Sequence, residues 1–221
     1  MFTILRYNHF LFDLDGTLTD PAPGITKSVQ YALSKLDINE QDLTKLQSFI
    51  GPPLQETFSK HYEFDQTTTW QAIEYYREYF KEKGLYENEV YNGITDLLSL
   101  LKSKEKKIYV ATSKPLVFAS EILRHFKLDH YFTGVFGSEL DGTRSDKKEL
   151  IGYMLETLQL NRLQTVMIGD RKHDILGAHH NQIHSVGVGY GYGSKEELLG
   201  AQPTYYYETL DELIQACLVA L

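Results

Sequence analysis

Apolar residues along this chain fall into two textures. At residues 10–12, 107–111, 134–136, 165–168 and 184–188, short apolar runs rich in aromatic or β-branched side chains mostly break off at Gly, Asp or hydroxyl-bearing turn residues, which predicts buried strands. Between them, apolar residues recur every three or four positions over 93–103, 115–126, 148–158 and 175–181, which predicts helices. Such alternation implies a parallel sheet wrapped by helices. Residues 20–86 differ. They show helical patterns at 25–36, 41–49, 54–62 and 68–83 and no convincing strand. Pro21, Pro23 and Gly24 separate this stretch from the first strand, and Gly84 followed by Glu87-Asn88-Glu89 marks its exit. The expected organisation is an α/β core, residues 1–19 and 87–221, with an all-α domain inserted at residues 20–86. The tyrosine-rich run 203–207 suits a last, half-buried edge strand, and a C-terminal helix carries Cys217.

The apolar run at the first strand stops at Asp13-Leu14-Asp15-Gly16-Thr17. Side chains alternate along a strand, so Asp13 and Asp15 would face one site at the sheet's C-terminal edge, where open α/β sheets bind ligands. Two adjacent carboxylates repel unless a cation joins them, and oxygen ligands with high negative charge favour Mg²⁺. One carboxylate can attack phosphorus while the other protonates a leaving oxygen and then activates water. In isolation, Asp15-Gly16 also reads as an ordinary turn. A calcium loop is excluded, because its glycine belongs at position six and here falls at position four. The run 165–168 ends at Gly169-Asp170, with Asp174 one helical turn later, so these two acids would converge on the same edge. Alone, that pair also reads as a helix cap and a solvated acid. Thr112-Ser113-Lys114-Pro115 ends the strand at 107–111, offering hydroxyls and backbone N–H groups to a phosphate oxygen. Lys147 begins another helical pattern and would supply a cation.

These four segments, in this order, resemble the four motifs of the haloacid dehalogenase-like hydrolase superfamily, and the resemblance runs through essentially the whole chain. It implies a Rossmann-like parallel-sheet core with an inserted all-α cap. By resemblance, Asp13 is the nucleophile, Asp15 the acid/base, Thr112 the phosphate-binding hydroxyl and Lys147 the lysine beside the phosphoryl group, with Lys148 an adjacent alternative. Asp13, Asp170 and Asp174 would hold Mg²⁺ together with the main-chain carbonyl of Asp15. Thr112, Ser113 and Lys147 would bind the substrate, as would Gly51 in Phe49-Ile50-Gly51-Pro52-Pro53-Leu54, a loop similar to that of phosphoglycolate phosphatase-like and 5′-nucleotidase-like members. The second aspartate and Thr17 favour phosphatase over dehalogenase, phosphonatase or mutase. The implied activity is Mg²⁺-dependent hydrolysis of a small phosphomonoester through an aspartyl phosphate. Phosphoglycolate comes first, a 5′-nucleotide or pyrophosphate is the alternative, and sugar phosphomutase chemistry ranks below both.

Composition narrows this further. At 221 residues, 42% hydrophobic and 24% charged, the chain is ordinary for a globular enzyme. A net charge of −8 without a dense basic run argues against a nucleic acid polymer as partner. No apolar run approaches bilayer length and no signal peptide is evident, so a cytoplasmic monomer or homodimer acting on a small phosphorylated metabolite is expected. The single Cys217 cannot form an intrachain disulfide and reads as packing. His173, His179, His180 and His184 lack zinc-site spacing. The glycine-rich run 187–194 lacks a dinucleotide fingerprint and reads as a flexible loop at the sheet edge, facing the cap.

Overall fold

A computed structural model describes residues 4–218. Strand β1 (His9–Phe12) lies inside a six-stranded sheet, between β4 (Lys107–Pro115) and β6 (Thr165–Gly169). It pairs in parallel with both, His9 opposite Lys107 and Thr165. Beyond β4 lies β5 (Gly134–Ser138); beyond β6 lie β7 (His184–Val188) and β8 (Tyr205–Tyr207), also parallel. The run Phe10-Leu11-Phe12 is apolar throughout because both faces of a parallel sheet are covered. Phe10 and Phe12 point into one core layer with Leu97, Leu101 and Leu213, while Leu11 points into the other with Ile151 and Met154. The first layer comes from α4 (Ile94–Ser103) and the C-terminal helix α9 (Leu210–Leu218), the second from α6 (Lys147–Thr157). Helix α5 (Leu116–His125) packs on β4 and β5, and α7 (Lys172–His180) on β6 and β7.

A two-residue strand, β2 (Thr19–Asp20), follows β1 and pairs antiparallel with β3 (Glu89–Val90). Between them run α1 (Ala22–Lys35), a 3₁₀ turn (Lys45–Phe49), α2 (Leu54–Tyr62) and α3 (Gln66–Tyr79), which continues into a π-helical turn (Phe80–Gly84). Helices α1 and α3 pack together, and Phe49 meets Phe58 edge-on at 4.8 Å. No helix among the described residues is long and apolar enough to cross a membrane.

Three local expectations need correction. Helix 41–49 forms only as the 3₁₀ turn Lys45–Phe49. Asp42 accepts hydrogen bonds from the Thr44 N–H at 3.0 Å and the Thr44 hydroxyl at 2.6 Å, so its side chain competes with helical bonding upstream. Helix α1 starts three residues early, because Pro23 is tolerated in a first turn and Asp20 accepts the Ala22 N–H at 3.0 Å. A short helix α8 (Lys195–Gly200), absent from the periodicity reading, starts where the Ser194 hydroxyl accepts the Glu197 N–H at 3.1 Å.

Candidate active site

Strand β1 ends in a tight turn that Gly16 makes possible. Its φ of +79° is disfavoured for side-chain-bearing residues, and a Cβ there would overlap the Asp170 carboxylate. The turn closes with the N–H groups of Leu18 and Thr19 bonding the Leu14 carbonyl at 2.8 and 3.1 Å. Asp13 and Asp15 therefore sit at the C-terminal edge of the sheet, 3% and 6% exposed. One strand over, β6 delivers Asp170 at its tip. Asp174, on the first turn of α7, accepts the Arg171 N–H at 3.1 Å, so it is Asp174 that serves the helix start.

Asp13, Asp170 and Asp174 each offer an oxygen, all within 4.8 Å of one another. Lys147 enters from the N-terminus of α6, its Nζ 2.9 Å from Asp13, 2.5 Å from Asp174 and 2.8 Å from the Ala111 carbonyl. Lys148 is exposed to solvent, so of the two lysines it is Lys147 that reaches the carboxylates. Burial works against the Lys147 ammonium, but Asp13 and Asp174 outweigh it and raise it above the usual lysine value. Burial, then Asp13 and Asp174, push Asp170 up to about 8. Asp174 rises to about 6 through burial, opposed by Lys147. Three buried carboxylates lie together and one lysine pairs with two of them, Asp13 and Asp174, leaving net negative charge in an oxygen-only donor set. That arrangement fits a hard divalent cation such as Mg²⁺.

The Asp15 carboxylate lies outside this trio. Its Oδ2 is 2.6 Å from Lys114 Nζ, and its Oδ1 is buried without a hydrogen-bond partner. Burial raises Asp15, and Lys114 opposes the shift. Lys114 Nζ in turn rests 4.6 Å above the Phe80 ring, which stacks on Tyr76. Thr112 and Ser113 line the same cleft, with the Thr112 hydroxyl accepting the Lys114 N–H at 3.2 Å. Gly51 closes the cleft from the helical side at φ +100°. The enclosed volume of the cleft is about 60 Å³. Phe49, Leu54, Ile73, Tyr76, Phe80 and Phe118 give it largely apolar walls.

Sequence reasoning missed several contributors. Lys114 stands two residues beyond Thr112, on the stretch where β4 shifts register before Pro115. Thr17 donates to Asp170 Oδ1 at 3.1 Å, and the Tyr192 N–H donates to Asp170 Oδ2 at 2.8 Å. The glycine-rich run is therefore a clamp behind the site, with the Tyr190 hydroxyl on the Thr17 carbonyl at 3.0 Å and Gly191 packed against Gly16. Lys27 of α1 pairs with Glu87 at 2.7 Å.

Comparison with known proteins adds to this geometry. A family model described as "Haloacid dehalogenase-like hydrolase" matches residues 10–188. A Pseudomonas aeruginosa protein named 5′-nucleotidase is 54% identical, over 96% of each chain. The Mycobacterium tuberculosis protein named tyrosine-protein kinase PtkA is 36% identical over 93% of this chain and 71% of its own. A Colwellia psychrerythraea phosphoglycolate phosphatase is 28% identical over 92% of this chain and 94% of its own. Among solved structures, one described as a predicted phosphatase from Clostridium acetobutylicum superposes with a TM-score of 0.94 at 52% identity, covering 96% of this chain and 98% of that one.

Proposed function

This chain belongs to the haloacid dehalogenase-like hydrolase family and is a phosphatase of that family; on that premise we propose that it removes phosphate from a nucleoside 5′-monophosphate by way of an aspartyl phosphate on Asp13. The observation that carries the reading is the Asp13 carboxylate, held by Lys147 at the floor of a cleft whose walls are apolar and aromatic. Asp13 attacks phosphorus in line, and Lys147 stays beside its oxygens as charge passes to the phosphoryl group. Asp15, whose hold on a proton is raised by burial and opposed by Lys114, gives a proton to the leaving ribose oxygen and then takes one from the water that opens the aspartyl phosphate. Thr112 and Ser113 offer hydroxyls to the phosphoryl oxygens. Asp13, Asp170, Asp174 and the Asp15 carbonyl would hold Mg²⁺, which when bound offsets the charge of the carboxylates and phosphate.

Two features favour a nucleoside over glycolate as leaving group. The apolar and aromatic walls of the cleft suit a base and sugar better than a two-carbon acid. A carboxylate would need a free cation, yet Lys114 is bound to Asp15, and Arg77 to Glu74 at 2.6 Å and to the Leu140 carbonyl. The name of the Pseudomonas aeruginosa relative points the same way. The helical residues 20–86, by this reading, act as a cap that excludes water and selects the leaving group.

The test is phosphate release with Mg²⁺ across nucleoside monophosphates, phosphoglycolate, pyrophosphate, sugar phosphates and a phosphotyrosine peptide. The expected result is the highest kcat/KM on a nucleoside monophosphate. A tenfold preference for phosphoglycolate or pyrophosphate would overturn the substrate class while leaving the chemistry in place.

A further inference from the structure

The turn that carries Asp170 and Asp174 also reaches out of the core. Arg171 lies between them, and its guanidinium makes three bonds away from the carboxylate trio. Nε donates to Glu197 Oε1 at 2.9 Å and Nη2 to Glu197 Oε2 at 3.3 Å, a fork on one carboxylate. Nη1 donates to the main-chain carbonyl of Ile50 at 2.5 Å. That carbonyl belongs to the helical segment, 121 positions away in sequence. Glu197 also accepts the Lys172 N–H at 3.0 Å, so the fork is anchored to the start of α7. The arginine stem packs on Gly51, where an added Cβ would stand 2.8 Å from Arg171 Cγ. Ile50 is fully buried, and Gly51, Pro52, Pro53 and Leu54 line the cleft. A second arginine crosses in the opposite direction, Arg77 of α3 donating to the Leu140 carbonyl beyond β5.

We propose that Arg171 is a positioning residue, a latch that holds the loop at residues 50–54 over the cleft and ties its closure to the turn bearing Asp170 and Asp174. Two geometrical points support this role. Only a planar fork can hold a carboxylate with two nitrogens and still aim a third at a carbonyl, which a lysine cannot do. The acceptor is a backbone carbonyl beside the cleft-lining residues, so the bond fixes the path of the loop and, through it, the wall against which a leaving group packs. Loss of the latch should weaken contacts to a bulky leaving group while affecting the phosphoryl-binding residues little. This catalytic consequence rests on the phosphatase reading above; the structural one does not.

Arg171→Ala, Arg171→Lys and Glu197→Gln would be compared with the unaltered protein in two ways, after thermal melts establish that each is folded. Hydrogen exchange at the amides of Ile50, Gly51 and Leu54 reads the latch directly, and losing one bond of about 1.4 kcal/mol corresponds to about tenfold faster exchange in Arg171→Ala. Steady-state kinetics on a nucleoside monophosphate and on acetyl phosphate reads its use. The expected result is a kcat/KM loss of about tenfold on the nucleotide, mainly through KM, and under about threefold on acetyl phosphate, with Arg171→Lys recovering part of both readouts. Unchanged exchange in folded Arg171→Ala overturns the latch whether or not the protein is active. Faster exchange with equal losses on both substrates overturns its role in holding the leaving group. Should Arg171→Ala not fold, Arg171→Lys and Glu197→Gln face the same criteria with smaller expected effects. If the unaltered protein hydrolyses neither substrate, the nucleotide reading fails, and the exchange experiment still decides the latch.

Discussion

Replacing Asp170 with asparagine should stabilise the metal-free protein at high pH. Asp170 is fully buried against Asp13 and Asp174, and its folded pKa is raised from 3.8 to about 8. A carboxyl raised on folding binds its proton better in the folded state, so stability falls as pH climbs from about 4 to about 8 and then levels off. Across that whole interval the loss has a ceiling of about 6 kcal/mol. Asparagine is the same shape and can keep both neighbours, its oxygen accepting the Tyr192 N–H and its amide donating to the Thr17 hydroxyl. Even a quarter of the ceiling would raise Tm by about 3–5 °C in a chain of this size. The assay is thermal unfolding of both proteins with a chelator at pH 5 and pH 8. The asparagine variant should gain on the unaltered protein as pH rises, and Mg²⁺ should cancel the gain by stabilising only the protein that binds it. A difference that is equal at the two pH values, or that reverses, would refute the view of three carboxylates in mutual repulsion.

Other outcomes are equally specific. Asp13→Asn should abolish turnover with Tm retained, and substantial activity in the purified variant would remove Asp13 as nucleophile. Asp15→Asn should lower kcat by about 10²- to 10⁴-fold on poor leaving groups, read by steady-state kinetics. A chelator should stop phosphate release and Mg²⁺ restore it; chelator-insensitive turnover would contradict the assigned use of the carboxylate trio. Gly16→Ala should lose activity and stability together, since the backbone strain alone is about 1–2 kcal/mol and the new methyl overlaps Asp170.

The parts of the site legible in the sequence are those fixed by local geometry. Asp13 and Asp170 stand where apolar runs stop at turn residues, and Asp174 follows one helical turn on, so alternation and helical pitch suffice to bring them together. Lys147 required more, because which of two adjacent lysines faces inward depends on how the first turn of α6 meets the sheet. Lys114 was hidden by β4, which extends past Ala111 with a register shift before Pro115, so simple alternation could not be trusted there. Arg171 and Tyr192 act across 121 and 22 positions, through contacts that exist only once the sheet has assembled. The helix expected at 41–49 failed for a local reason, the hydrogen bonds of Asp42, which apolar periodicity does not register.

The ribbon formed by β2 and β3 has an architectural consequence. Thr19 faces Val90 and Asp20 faces Glu89, so the chain leaves the sheet and returns to it at neighbouring points about 5 Å apart. Along the chain, everything between those points enters and leaves by one doorway. A segment whose two ends meet at adjacent positions can differ in length without altering the strand order of the sheet. On the cap role proposed above, chemistry and selectivity would then diverge separately, the first tied to the strand tips that carry Asp13 and Asp170 and the second to the inserted helices.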